Sequence, residues 1–257
     1  MSRIYTDEVL PETSGIGEHL NLGAVGDSVT LPTGAILKTN KIADAGGNNI
    51  ITSDGSGNLT VNAAAFAGDE AQIGATQTAS SSAYIDFTTG FTNTYFLFKI
   101  IYTGVRPATD NTNLTWTPST DNTNWNAVTR QWTYWIQYQG QASSGAMSYR
   151  QAWDGPSGTA DIMCASQTGN DADQSSSGIV YMFNFSKSGY GAGPYVGNAT
   201  KGMKNFYSEA IYSQEDDDAQ GAYACGRIHA SDPITGVRFK YSSGNIAAGT
   251  FKMYGLK

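Results

Sequence analysis

The sequence predicts an all-β protein, and three of its features point to that fold class. Charged residues make up only 14% of the 257 residues, against about 25% in an ordinary soluble domain. Turn-forming residues are abundant, including 30 glycines, and short apolar runs recur between them. No stretch shows the apolar periodicity of a three-turn helix. We therefore expect a C-terminal jelly-roll β-sandwich, preceded by an extended N-terminal arm and a short β stalk.

The first segment, residues 1–20, is acidic and has no apolar periodicity, so it is not expected to fold alone. We predict that it is an arm that orders against a partner. Its opening residues, MSRIYTDEV, lack the charged-then-apolar pattern of a secretory signal. The chain is therefore expected to stay in the cytoplasm of the cell that makes it. The residues expected to make the docking contact are Arg3, Ile4, Tyr5, Val9 and Leu10.

The second segment, residues 21–65, contains short apolar runs separated by glycine-rich turns. Ile51, Leu59 and Val61 are too few apolar side chains to form a core within one chain. Two interpretations remain, a linker with some β character or a thin stalk in which several copies intertwine. We expect the stalk, and with it a homotrimer, because short strands of this kind gain stability by association.

Residues 66–257 form the predicted sandwich domain, with roughly eight to ten short strands between turn signals. Residues 237–241 and 250–253 alternate apolar and polar side chains, as half-buried strands do. Residues 95–105, YFLFKIIYTGV, are apolar on both faces. We therefore expect that strand to be buried on both sides or to lie at a subunit interface.

Residues suited to catalysis are scarce in this sequence. His19 in the arm and His229 in a late strand are the two histidines, and they fall in different predicted units, so a shared metal site is not expected. Cys164 and Cys225 are expected to be free and buried, because the chain lacks an export signal. The sequence thus predicts a protein without enzymatic activity, cofactor or metal ion.

Two groups of acidic residues lie in predicted loops, Asp171 with Asp173 and the run Glu215–Asp218. We expect both groups to be solvated surface. Clustered loop oxygens also suit calcium, although the spacing matches no EF-hand. A pair of carboxyl groups about 5–10 Å apart would be needed for glycoside cleavage, and an enzyme of that class is a disfavoured alternative.

Aromatic residues are the better indication of a binding site. In a strand over residues 132–138, Trp132, Tyr134 and Tyr138 share one face and Trp135 points to the other; Trp153 follows a small-residue loop. Rings exposed beside amides and hydroxyls can stack on a sugar and orient it by hydrogen bonds. We therefore expect these rings to include glycan contacts. The alternative is that they are core residues or trimer contacts.

Composition also argues against two other classes of partner. The formal net charge is −7, which does not suit a nucleic-acid binder that relies on a basic face. No apolar run approaches the roughly 18 residues that a membrane span needs. We expect neither nucleic-acid binding nor membrane insertion.

Two stretches resemble a known class of proteins. Residues 234–257, ITGVRFKYSSGNIAAGTFKMYGLK, resemble the closing motif of C-terminal jelly-roll-like domains in tailed-bacteriophage virion proteins. Residues 93–114, with Arg106–Pro107, and the turn 119–121 are similar to the earlier part of the same domain. The repeats around Leu31–Gly34 and Gly57–Thr60 look like the neck of phage fibres, especially cyanophage fibres. Residues from about 125 to 215 match nothing in this class.

The resemblance implies a virion structural protein assembled in the host cytoplasm. The expected form is a homotrimeric tail fibre whose N-terminus attaches to another phage virion protein and whose C-terminal domain binds a host surface polysaccharide. The alternative is a capsid decoration protein or head fibre attached to the shell. Such domains occur in both places, and the resemblance supplies no catalytic residues.

Overall fold

A computed structural model describes residues 41–43, 48–61, 69–140, 145–189 and 203–257. The chain divides into two compact units, Met1–Phe66 and Ala67–Lys257. The predicted arm lies outside the described residues. So do the docking residues proposed for it, Arg3, Ile4, Tyr5, Val9 and Leu10.

The described part of the first unit is a three-stranded antiparallel sheet of β1 (Lys41–Ala43), β2 (Asn49–Ser53) and β3 (Leu59–Val61). The Asp54 carboxylate shapes the turn between β2 and β3 by accepting hydrogen bonds from the Ser56 and Asn58 backbone N–H groups, at 2.7 and 3.2 Å. The hydrogen bond that the Asn58 side chain donates to Asp54, together with these two, lowers the pKa of Asp54. None of the residues in these strands is buried.

The second unit is built almost entirely from strands. They are β4 (Glu70–Ser82), β5 (Ile85–Phe87), β6 (Leu97–Pro107), β7 (Thr112–Ser119), β8 (Thr129–Gln139), β9 (Ala146–Tyr149), β10 (Gly155–Gly158), β11 (Ile162–Thr168), β12 (Ser176–Phe183), β13 (Lys204–Ser213), β14 (Ala219–His229), β15 (Gly236–Tyr241) and β16 (Ile246–Leu256). Among the described residues, the one helical element is the 3₁₀ turn Gln151–Trp153. No helix in those residues is long and apolar enough to cross a bilayer.

In the described residues of this unit, the strands form two antiparallel sheets. The larger has nine strands in the order β10-β8-β14-β13-β12-β6-β16-β4, with β9 also paired to β8. The smaller has four, in the order β11-β7-β15-β5. Consecutive strands repeatedly lie in different sheets, so the chain crosses between them many times. The all-β fold class predicted from the sequence is confirmed.

The core lies between the two sheets. Trp116 of β7 packs edge-on against Phe206 of β13, with 5.0 Å between ring centroids. Tyr102 of β6 packs against Phe239 of β15, at 6.0 Å. All four rings are buried, so the small sheet covers the inner face of the large one. The outer face of the large sheet is not covered by any described part of this unit.

Arg130 is a buried cation at the margin of this core. Its guanidinium donates to the backbone carbonyls of Val128, Thr159 and Ala160 and lies 3.3 Å from a carboxylate oxygen of Asp161. Burial lowers the pKa of Arg130 to about 10, and the charge of Asp161 opposes that shift. The side chain therefore remains charged at neutral pH, and it holds the segment before β11 against β8.

Candidate functional site

The side chains of β8 alternate between the core and the outer face of the large sheet. Trp132 and Tyr134 point inward, and Trp135 points outward with 44% of its surface exposed. The predicted division of these rings between two faces is confirmed. Because the small sheet covers the inner face, the outward residue is the one that can meet a ligand.

Trp132 and Tyr134 are buried in the core, which is the alternative that the sequence left open for these rings. Trp132 is 5% exposed and Tyr134 is fully buried. The indole N–H of Trp132 donates to the Trp153 carbonyl at 3.2 Å, and Trp153 packs edge-on against Tyr134. Trp153 and Tyr138 are partly buried against the same core. These four rings therefore pack on the core side of the large sheet, beneath its outer face.

On the outer face, aromatic side chains of neighbouring strands form a stepped row, in which Tyr207 and Tyr223 are diagonal neighbours that line the same hollow. Strand register places Tyr181 opposite Tyr207, Tyr223 opposite Trp135, and Trp135 opposite Tyr149. Tyr181 and Tyr207 are stacked at 6.1 Å, and Trp135 and Tyr149 lie 5.1 Å apart. We call Tyr181, Tyr207, Tyr223, Trp135 and Tyr149 the aromatic stripe. It crosses five adjacent strands, a width of about 19 Å at the usual strand spacing.

A shallow apolar hollow of about 360 Å³ lies in the middle of the stripe. Its lining includes Trp135, Tyr207, Tyr223, Met147 and Cys225. Trp135 and Met147 are exposed, at 44% and 72%, so this apolar surface is open to solvent. Large exposed aromatic patches of this kind are usually interaction surfaces.

A larger groove of about 720 Å³ adjoins the stripe. Hydrogen-bonding side chains and apolar surface both line this groove, which we call the polar groove to distinguish it from the hollow. Its lining residues are Gln131, Trp132, Thr133, Tyr149, Gln151, Asp154, Gly155, Pro156, Asn205, Cys225, Gly226 and Arg227. Tyr149 and Cys225 therefore border a region where apolar rings meet hydrogen-bonding side chains. This combination can hold a ligand with both flat apolar faces and many hydroxyl groups.

Asp154 fixes one wall of this groove. One carboxylate oxygen accepts the backbone N–H of Tyr134 at 2.8 Å, and the other accepts the hydroxyl of Tyr149. That second bond raises the pKa of Tyr149 and orients its ring beside Trp135. Both carboxylate oxygens of Asp154 thus already have partners within the protein.

Arg227 lies on the floor of the groove between Asn205 and Gln131, its partners on the two neighbouring strands. Its guanidinium donates to the Gln131 side-chain oxygen at 3.1 Å. It forms no salt bridge with a carboxylate of the described residues. Burial and the charge of Arg227 lower the pKa of the nearby His229, so His229 is neutral at pH 7.

The two acidic loops meet in the structure, although they are far apart in the sequence. Gln174 accepts the backbone N–H of Asp171 and donates to the carboxylate of Asp217 at 2.6 Å. Within the described ranges, no group of three His, Cys, Asp or Glu side chains is arranged to hold a metal ion. The loops are surface turns joined by an amide, and neither borders the groove or the stripe.

The two cysteines have contrasting environments. Both are free, as the sequence predicts, but only Cys164 is buried, so the expectation of burial is wrong for Cys225. Burial raises the pKa of the Cys164 thiol to about 12, which leaves it protonated and unreactive. Side chains alternate between the two faces of β14, and its odd-numbered residues point outward. Cys225 therefore lies on the same face as Tyr223 and Arg227.

The candidate site therefore joins the aromatic stripe to the polar groove on the uncovered face of the large sheet. Of the sequence-predicted rings, Trp135 lies in the stripe and the buried Trp132 borders the groove. Strand pairing brings Tyr149 and Tyr223 opposite Trp135 and brings Tyr181 opposite Tyr207. Tyr207 and Tyr223 are diagonal neighbours across the β13–β14 pair. No protein-family model, curated protein or solved structure matches this chain.

Proposed function

We propose that this protein is a bacteriophage virion structural protein, a homotrimeric fibre whose outer sheet face binds a host surface polysaccharide. The resemblance of residues 93–121 and 234–257 to phage virion domains supports the virion assignment. The repeated crossing of the chain between two antiparallel sheets suits a jelly-roll-like domain, and we include that finer fold class in the proposal.

The observation that carries the binding proposal is the aromatic stripe with a polar groove at its edge. Flat rings such as those of Trp135 and Tyr149 offer apolar faces on which the C–H faces of a sugar ring can stack. The amides of Gln131 and Asn205 line the adjoining groove, where they can hydrogen-bond hydroxyl groups. A stripe about 19 Å wide suits a chain of several sugar units better than one terminal sugar.

Multivalency completes the proposed mechanism. Ring stacking contributes roughly 0.5–1.5 kcal/mol per contact beyond area burial, so a single site is expected to bind with modest affinity. Three copies on one fibre would raise the effective affinity, because the second and third binding events are intramolecular. In this proposal the protein holds its ligand and does not cleave it.

The alternative is that the outer face is a contact between subunits, because it also exposes apolar side chains that are not part of the aromatic stripe. Ile211 is 77% exposed and Met147 is 72% exposed. If the stripe were a contact between copies, its removal would change the mass of the protein in solution. If it binds sugar, removal would change only ligand binding.

The Trp135→Ala variant separates these two uses. We expect it to lower binding to immobilised bacterial surface polysaccharide about tenfold or more, since it removes the largest ring of the stripe. The mass measured by sedimentation equilibrium should stay that of the unmodified protein. Binding would be compared by surface plasmon resonance on the same polysaccharide surfaces.

Trp125→Ala is the matched control for this experiment. Trp125 is half-buried, and its ring packs against the guanidinium of Arg238. Arg238 belongs to β15 of the small sheet. Its removal should leave polysaccharide binding unchanged. Loss of assembly in Trp135→Ala, with polysaccharide binding retained per protomer, would show that the stripe is a subunit contact and would refute the proposal.

A further inference from the structure

The polar groove contains a cation, Arg227, that forms no salt bridge with a carboxylate of the described residues. Arg227 lines it and uses one guanidinium nitrogen to hold Gln131. Asp154 is the acidic residue of the groove lining, and its two oxygens are bound to Tyr134 and Tyr149. The uncharged side chain of Gln131 thus holds the guanidinium of Arg227 in place. The positive charge of Arg227 remains available to a ligand.

We propose that this groove binds a carboxylate-bearing sugar unit of the polysaccharide, and that Arg227 is the residue that recognises the carboxylate. The inference rests on the proposed function and narrows it to acidic polysaccharides, those containing uronic acids or other carboxylated sugars. A planar guanidinium can donate two parallel hydrogen bonds to a carboxylate, which gives both affinity and orientation.

The groove surroundings suit this ligand. Asn205 and Gln131 flank Arg227 on the neighbouring strands, and their amides can hydrogen-bond hydroxyls beside the carboxylate. Since His229 is neutral at pH 7, Arg227 supplies the positive charge. Along β14, Arg227 lies four residues from Tyr223, about 13 Å. An acidic unit in the groove and a stacked unit on the stripe can therefore belong to one chain.

The test compares each acidic oligosaccharide with its own neutral form. The probes are hexamers of galacturonic acid and of mannuronic acid, and the same hexamers after reduction of every carboxyl group to an alcohol. We expect at least one acidic hexamer to bind the protein about tenfold more tightly than its reduced form. Isothermal titration calorimetry would measure all four affinities at two salt concentrations.

Variants assign the preference to the groove. Arg227→Gln should bind the acidic hexamer no better than the reduced one, and Arg227→Lys should keep part of the preference. Lys252→Gln is the matched control, because Lys252 is an exposed cation on the same sheet, four strands away from Arg227 and separated from it by more than about 19 Å. Its removal should leave the preference intact. Thermal unfolding of each variant would verify folding.

The outcomes separate this inference from the proposed function. Equal affinity for acidic and reduced hexamers, with both bound, would overturn the acidic-sugar inference and leave polysaccharide binding standing. An equal loss of preference in Lys252→Gln and Arg227→Gln would also overturn it, since general charge attraction would then explain binding. Failure of all four hexamers to bind would overturn the proposed function as well.

Discussion

Replacing Trp116 by alanine should lower the free energy of unfolding of the second unit by about 3–5 kcal/mol. Trp116 is fully buried and fills the space between the two sheets, against Phe206 at 5.0 Å and Phe185 at 6.2 Å. Alanine would leave a large cavity that two rigid sheets cannot close. Urea unfolding followed by fluorescence would measure the change.

The control for Trp116→Ala is again Trp125→Ala, which removes a tryptophan from the surface. Trp125 is half-buried and contacts Arg238 at 4.3 Å from the ring centroid. Its loss should cost only about 1 kcal/mol. Equal destabilisation by the two variants would contradict the description of one core shared by both sheets.

Gly226→Ala should destabilise the protein by about 3 kcal/mol and reshape the groove. A β-carbon at this position would lie 2.1 Å from the Gln131 carbonyl oxygen and 2.7 Å from Cβ of Trp132. Both are fixed parts of β8, so the β8–β14 pairing itself would have to shift. Gly226 lies beside Arg227 in the groove lining, and a shift there would move the guanidinium.

Gly158→Ala is the matched control for Gly226→Ala. Gly158 lies on β10, the strand next to β8, and an added β-carbon would come no closer than 3.4 Å to another atom. We expect a change of less than about 0.5 kcal/mol there. Thermal unfolding of both variants would measure the difference. A Gly226→Ala protein as stable as Gly158→Ala would mean that β8 and β14 are not paired in this register.

The fold class could be predicted because it follows from local patterns. Turn-forming residues and alternating strands such as residues 237–241 depend on near neighbours in sequence. For residues 95–105, the sequence predicts burial on both sides or a place at a subunit interface. The structure places their inward side chains Phe98, Ile100 and Tyr102 in the core, and places outward Ile101 beside Ile179 on the uncovered face. A subunit interface at that face stays a prediction.

Less of the candidate site could be predicted, because it depends on which distant strands pair. Alternation showed that Trp135 and Tyr134 face opposite ways, but not which face the small sheet covers. Tyr223 lies nearly 90 residues from Trp135 in sequence, yet the two are directly opposite in register. No local pattern reveals such a pairing, since one residue of slip would turn the ring inward.

The same reasoning explains why Arg227 was missed. In sequence it is an ordinary polar residue in a late strand. The role that we propose for it depends on Gln131 on the neighbouring strand and on Asp154, whose carboxylate is hydrogen-bonded to Tyr134 and Tyr149. The contact that Gln174 makes between the two acidic loops could not be predicted either. Asp171 and Asp217 come close only because β12 and β13 pair.

The most direct test of the central claim, that the outer face binds polysaccharide, uses Cys225 as a natural reporter. Cys225 is exposed in the lining of both the apolar hollow and the polar groove, whereas Cys164 is buried with its pKa raised to about 12. A maleimide should therefore modify Cys225 selectively in the folded protein.

The rate of modification would be measured with and without a saturating polysaccharide to which calorimetry shows binding. We predict that the bound polysaccharide slows modification of Cys225 about tenfold or more. An unchanged rate at saturation would place the ligand elsewhere and contradict the account.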